Sequence, residues 1–180
     1  MVYVLLAKGF EEMEALAPVD LLRRVDVEVM TVSLTDDLMV QGGHDIYVKA
    51  DITLEHVDFD ALEMLIIPGG LGGVITIAET PAAMDLILKV WQAEKTLAAI
   101  CAAPKLLAAL GIIKGMSVVC HPSINDEIMN AGGRLLHNKQ VTCDHNLITG
   151  KAAGSSIEFA LELVAVMRDC KTSEKLRSTL

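Results

Sequence analysis

One cysteine in this chain sits where a thiol could do chemistry. Cys101 lies in Leu97-Ala98-Ala99-Ile100-Cys101-Ala102-Ala103-Pro104. That segment reads as a buried strand, an abrupt turn and a helix. Small residues flank the cysteine, so the chain can turn tightly there, as at a nucleophile elbow, although the G-x-S-x-G pattern itself is missing. A thiol at a helix start faces free backbone N–H groups and the positive end of the helix dipole. Such a setting lowers a cysteine pKa from about 8.5 to roughly 3.5–7.5 and predicts a thiolate at neutral pH. The alternative is a buried, inert cysteine, because free cysteine is among the most buried residue types.

Two further side chains could serve that thiol. Glu14 closes the acidic run Glu11-Glu12-Met13-Glu14 after the first apolar segment. If desolvated, its carboxyl would hold a proton near neutral pH and could shuttle it. An exposed acid favoured by a helix start is the competing reading, and it suits Glu11 and Glu12 well. His121 precedes Pro122, which biases it to an extended backbone. It could orient or deprotonate a thiol, or be a turn histidine with no chemistry. Gly69-Gly70 follows Pro68 and could aim backbone N–H groups at an oxyanion, or form a plain turn. His44, His56, His137 and His145 read as loop or surface residues. Cys120-His121 and Cys143-Asp144-His145 match no zinc spacing, so no metal site is expected. Neither G-x-G-x-x-G nor a P-loop is present, which leaves nucleotide binding unsupported.

Elements that could position these groups follow from the pattern. Strands are predicted at Val2–Ala7, Val27–Val32, Asp45–Lys49, Leu62–Pro68, Thr96–Ile100, Ser117–Cys120, Val141–Cys143 and Leu147–Thr149. Helices are predicted from Glu11 to about Arg24, starting or kinking at Pro18, and from Thr80-Pro81 to about Glu94, with Thr as cap and Pro at the first helical position. Further helices are expected at Ala102–Leu110, Pro122–Met129 and Ser155–Met167. The polar tail from Asp169 is expected to fray. Strands alternating with helices imply an α/β fold: a flavodoxin-like, doubly wound, mostly parallel sheet sandwiched by helices. Chemistry in such sheets gathers at the carboxyl ends of the strands, which is where Glu14, Gly70, Cys101 and His121 fall.

The bulk numbers set the frame. The 180 residues fit a single domain spanning 1–180, and 52% are apolar with only 3% aromatic. A net charge of −9 disfavours nucleic-acid and anionic membrane partners. The apolar runs Leu97–Pro104 and Leu106–Ile113 are too short to span a membrane. The N-terminus lacks the pattern of a secretory leader. The four cysteines include no CxxC, which suggests free thiols in a reducing, cytoplasmic setting.

Together these segments resemble the DJ-1/ThiJ/PfpI superfamily, in its parkinsonism-associated deglycase branch. The resemblance runs from Ala7-Lys8-Gly9-Phe10-Glu11-Glu12-Met13-Glu14 through Pro18-Val19-Asp20, Pro68-Gly69-Gly70 and Ala99-Ile100-Cys101-Ala102-Ala103-Pro104. It continues to His121-Pro122 and Ser155-Ser156-Ile157-Glu158-Phe159-Ala160-Leu161. It implies that Cys101 is the elbow cysteine, Glu14 the protonated glutamate bonded to its sulfur, and His121 the nearby histidine. By the same resemblance, Gly70 and Ala102 supply backbone N–H groups to the reacting oxygen. It implies a homodimer, with the Glu14 helix near the interface and Arg24 a contribution to the partner's site. Two departures stand out. Lys151-Ala152-Ala153-Gly154 replaces a Gly-Pro-Gly turn, and His44 replaces an arginine. The implied activity is a cofactor-independent glyoxalase or deglycase acting on methylglyoxal, glyoxal or early glycation adducts. The competing role is a redox sensor or stress chaperone governed by Cys101 oxidation. A glutamine amidotransferase would need His-x-Glu after the cysteine, and none of the histidines has it.

Overall fold

The computed structural model describes all 180 residues. In chain order the strands are β1 (Val2–Leu6), β2 (Val29–Ser33), β3 (Met39–Gln41), β4 (Tyr47–Lys49), β5 (Ile52–Thr53), β6 (Met64–Ile67), β7 (Thr96–Ile100), β8 (Ser117–Val118), β9 (Arg134–Leu135), β10 (Val141–Asp144) and β11 (Leu147–Gly150). The helices are α1 (Glu12–Arg23), α2 (Leu71–Ala78), α3 (Pro81–Gln92), α4 (Pro104–Ala109), α5 (Asn125–Asn130), α6 (Ser156–Met167) and α7 (Cys170–Arg177). No single helix is long and apolar enough to cross a membrane.

Seven strands form the main sheet in the order β10-β11-β7-β6-β1-β2-β5. Every pairing in it is parallel except β10 with β11. The inner strands are apolar along their whole length, as a sheet covered on both faces requires. Alternate residues feed two separate cores. Tyr3, Leu5, Leu65, Ile67, Leu97 and Ala99 pack with Ile87 and Leu107 on one face. Val2, Val4, Leu6, Ile66, Ala98 and Ile100 pack with Leu22, Phe159 and Val164 of α1 and α6 on the other. The expected doubly wound, helix-covered sheet is therefore the observed one. The direction of winding reverses at β1, which leaves a crevice beyond the ends of β1 and β6, beside β7.

Several local expectations differ from the structure. The tail does not fray. Asp169 caps α7 by accepting the Thr172 N–H at 2.7 Å. Leu176 joins the α1–α6 core, and the Ser173 hydroxyl donates to the Leu161 carbonyl at 2.7 Å. α1 runs through Pro18, which lies inside the helix and simply withholds the N–H that would bond the Glu14 carbonyl. α2 was hidden because Gly72 and Gly73 in its first turn, just after Gly69-Gly70, read as a continuing glycine-rich turn. The Thr80 side chain does not cap α3; its hydroxyl donates back to the Thr76 carbonyl at 2.7 Å. β3 and β4 pair only with each other, as a hairpin off the sheet.

Candidate active site

Three chain segments meet at the crevice. β1 leads into α1 and brings Glu14, β6 leads into Gly69-Gly70, and β7 leads into Cys101. Cys101 has φ of 64°, a left-handed backbone that a residue with a side chain adopts at a cost and that clusters at functional sites. The turn is held from both sides. The Cys101 N–H donates to the Gly150 carbonyl at 3.0 Å, and its own carbonyl accepts the His121 N–H at 2.8 Å. α4 starts at Pro104 rather than at Ala102, so the sulfur is served by the turn itself more than by a helix end.

Around the sulfur the fold brings together three of the nominated groups. The backbone N–H groups of Ala102 and Gly70 lie near enough to Sγ to favour its thiolate, while the Glu14 carboxyl beside it opposes a second negative charge. Glu14 has no exposed surface. Its Oε2 accepts the Gly69 N–H at 2.8 Å, while Oε1 has no nitrogen or oxygen partner. Burial raises the Glu14 carboxyl to about 7. Burial, followed by the charge and hydrogen bond of Glu14, pushes the Cys101 thiol up to about 12. A helix-start setting alone therefore does not give the expected low thiol pKa. The half-buried thiol and the buried carboxyl form one coupled unit that resists carrying two negative charges at once.

Gly70 (φ 85°) makes the approach of these segments feasible. A β-carbon there would lie 2.5 Å from both the Glu11 nitrogen and the Gly9 carbonyl oxygen. Only glycine fits both the dihedral and the space.

His121 is joined to the elbow by its backbone, and its ring is engaged elsewhere. Nδ1 accepts the Ser123 N–H at 3.2 Å and lies 2.8 Å from the Ser123 hydroxyl, which caps the turn that follows. With Nδ1 accepting, a neutral ring carries its proton on Nε2 and offers a donor rather than a base.

Arg24 lies about ten residues beyond Glu14, roughly 15 Å along α1, exposed and bound to Asp20 through Nε at 3.0 Å. The protomer itself does not bring it to Cys101. Glu12, expected as an exposed helix-start acid, is buried instead. It accepts the His44 N–H and faces His44 Nδ1, both at 2.7 Å, which ties the loop after β3 to α1. Nothing in the sequence pattern signalled this bond, which joins residues far apart along the chain. Lys151 follows β11 and donates its N–H to the Gln140 carbonyl at 2.9 Å, and Ala153–Ser155 forms a short helical turn.

The DJ-1/PfpI family profile matches residues 1–166. The chain belongs to the DJ-1/PfpI family. Among its relatives, Parkinson disease protein 7 homolog of Danio rerio is 35% identical over 179 residues, spanning 98% of this chain and 94% of that protein. A deglycase of Thermococcus kodakarensis is 28% identical over 167 residues, 93% of this chain and 99% of its own. The crystal structure of Drosophila melanogaster DJ-1beta superposes with a TM-score of 0.93 at 31% identity, covering 99% of this chain and 95% of that one. An oxidized DJ-1 from Toxoplasma gondii gives 0.91 at 28% identity, covering 99% and 96%. The DJ-1 neighbours share the flavodoxin-like sheet and its helix layers.

Proposed function

We propose that this DJ-1/PfpI protein is a cysteine-dependent, cofactor-independent glyoxalase or deglycase-type enzyme acting on reactive dicarbonyls such as methylglyoxal. The observation that carries the reading is the half-buried Cys101 beside the buried Glu14, with the Gly70 and Ala102 N–H groups near the sulfur. A relative named as a deglycase adds support. After the pair loses its first proton, one negative charge remains. On the carboxylate it would rest on the Gly69 N–H at Oε2, with only the weak Cys101 S–H to serve the other, otherwise unpartnered oxygen, a costly state. On the sulfur it meets two N–H groups and the Glu14 O–H. This assigns the remaining proton to Glu14 and the charge to Cys101.

The Cys101 thiolate attacks the aldehyde carbon of methylglyoxal. A C–S bond forms, the C=O electron pair moves onto oxygen, and that oxygen takes a proton from Glu14 to give a hemithioacetal. The Glu14 carboxylate then removes the proton on the former aldehyde carbon and, through an enediol, returns one to the neighbouring carbon. One carbon is oxidised to a thioester and its neighbour reduced to an alcohol, so no external oxidant or reductant is needed. Water cleaves the thioester, releasing lactate and the thiol. The same addition applies to early adducts on lysine, arginine or cysteine side chains. His121, a donor at Nε2, fits binding of a substrate oxygen better than removal of the thiol proton.

The same pair supports a second reading, in which Cys101 oxidation is the main event. A protonated Glu14 has an unpartnered oxygen ready to donate to an oxygen on an oxidised sulfur, which could arrest oxidation at the sulfinic step. We place either activity in a cytoplasmic homodimer. Exposed Met13 and Leu16 on α1 and Ile157 on α6, two helices that pack together, support an apolar face for a second copy. Arg24 would contribute across that face. The deciding assay is lactate formation from methylglyoxal without glutathione, in wild type, Cys101→Ala and Glu14→Gln. Turnover lost in both variants supports the enzyme. An inert wild type whose Cys101 oxidises under mild peroxide supports the sensor.

A further inference from the structure

Away from Cys101, a groove of about 730 Å³ opens between the exit of β2, the turn after β5 and the first half of α3. Its size falls in the range of small-molecule sites, roughly 300–1,000 Å³. Ala82, Asp85, Leu86 and Lys89 line it from α3. Their spacing of three, one and three residues puts them on one helix face. Leu54, Val57 and Phe59 supply an apolar floor from the opposite wall, each only partly covered by the protein. The groove includes none of the residues around Cys101.

The rim is charged asymmetrically. Asp36, Glu55 and Asp85 line it against one cation, Lys89, and all four are exposed. Asp36 and Asp85 take part in no hydrogen bond or ion pair from their side chains, and Lys89 is equally free, while Glu55 has only a long contact of 3.6 Å with His56. The nearby Lys95 keeps its charge while its ammonium donates to the Phe59 and Leu62 carbonyls at 2.6 Å and lies 4.7 Å from the Phe59 ring centroid, so three rim carboxylates stand against Lys89 and this second, already engaged cation. An apolar floor under a net excess of carboxylates disfavours anionic ligands and complements a cation with an apolar body.

We propose that this groove binds small organic cations with an apolar body, such as protonated arylalkylamines. The apolar body lies on Leu54, Val57 and Leu86, away from the Lys95 ammonium at the Phe59 ring, and the ammonium sits between Asp36 and Asp85.

The test is a methyl-detected NMR titration of the full chain with tryptamine, with tryptophol as the neutral counterpart and indolepropionate as the anion. Tryptamine is expected to shift the methyls of Leu54, Val57 and Leu86 and to bind about fivefold more tightly than tryptophol, as exposed charge pairing allows, with indolepropionate weakest. Asp36→Asn with Asp85→Asn, both surface changes, should abolish that preference while leaving the spectrum of the fold intact. The proposal is overturned if these methyls stay unmoved at about ten times a millimolar Kd. It also falls if the three probes bind alike, or if the amine preference survives in the double variant.

Discussion

Gly69 donates its N–H to Glu14 Oε2 at 2.8 Å, and a β-carbon on Gly69 would stand 2.5 Å from that oxygen and 2.7 Å from the Cys101 β-carbon. The glycine is a spacer that sets how closely the carboxyl and the thiol meet. Gly69→Ala should force them apart at a cost of about 1–3 kcal/mol, the usual range for overpacking a filled site. Urea denaturation would read that loss. Methylglyoxal turnover in the same variant should fall at least about tenfold, because a small misplacement of reacting groups is expensive. A variant of undiminished activity would show that the spacing does not matter.

Because burial raises Glu14 from 4.5 to about 7, the folded chain holds a proton that the unfolded chain has released between these values. Stability is therefore full below about pH 4.5 and falls as pH rises through about 7. The shift corresponds to about 3 kcal/mol as an upper figure. Glu14→Gln removes the titration, so its stability relative to wild type should improve from pH 5 to pH 8. Paired urea melts at those pH values check the sign; a constant difference would mean that Glu14 does not titrate in this window.

If the pair's first proton leaves the sulfur a thiolate, iodoacetamide should alkylate Cys101 with a rate that rises with pH to a plateau, with its midpoint near or below 7. If the proton stays on sulfur until Glu14's negative charge is overcome, reactivity should keep climbing far above pH 9, since that step lies up at about 12. Mass spectrometry would assign the alkylated residue among the free cysteines Cys101, Cys120, Cys143 and Cys170. Glu14→Ala should move the midpoint upward, because the O–H that steadies the thiolate is gone.

The parts of this site that were legible in the sequence share one physical basis. Cys101, Gly70 and Glu14 each follow a short apolar strand, and the carboxyl ends of parallel strands converge in any doubly wound sheet. What could not be read depends on side-chain packing across long separations. Whether Glu14 or Glu12 is buried turns on Gly69 and His44, which come from other strands' loops. The thiol's pKa depends on that burial and on the carboxyl beside it, neither of which a helix-start rule includes. His121 meets the elbow through its backbone N–H on the Cys101 carbonyl, and its ring orientation comes from a local bond to Ser123 that no spacing rule encodes. Among the elements, α7 was missed because its composition is polar. Its stability comes from Leu176, Ser173 and the Arg177–Glu158 ion pair rather than from a broad apolar stripe.

That dependence makes α7 separable by mutation. Asp169→Ala removes the cap on Thr172 and should cost about 1 kcal/mol. Leu176→Ala should cost about 2 kcal/mol, at the low end for core truncations because it lies at the edge of the core. Amide exchange in residues 170–177 should rise in both variants while the sheet amides stay protected, since a peripheral helix can open locally. Uniform loss of protection would instead make α7 part of the main cooperative unit.

His44 offers the last check, because its ring is exposed and can be followed directly. The hydrogen bond and charge of Glu12 hold its imidazole above the ordinary value of 6.5. The His44–Glu12 attraction is thus strongest where Glu12 is ionised and His44 protonated, and it fades as pH rises through the raised His44 value or falls through the lowered Glu12 value. A proton NMR titration should show the His44 ring titrating above 6.5, and Glu12→Gln should return it toward that value. The buried Glu12 carboxylate also accepts the His44 backbone N–H at 2.7 Å, so the loop should stay docked after His44→Ala, with the Met39–Lys49 hairpin resonances little changed. If that substitution instead releases the hairpin, the ring, and not the backbone bond, is what fastens this loop to α1.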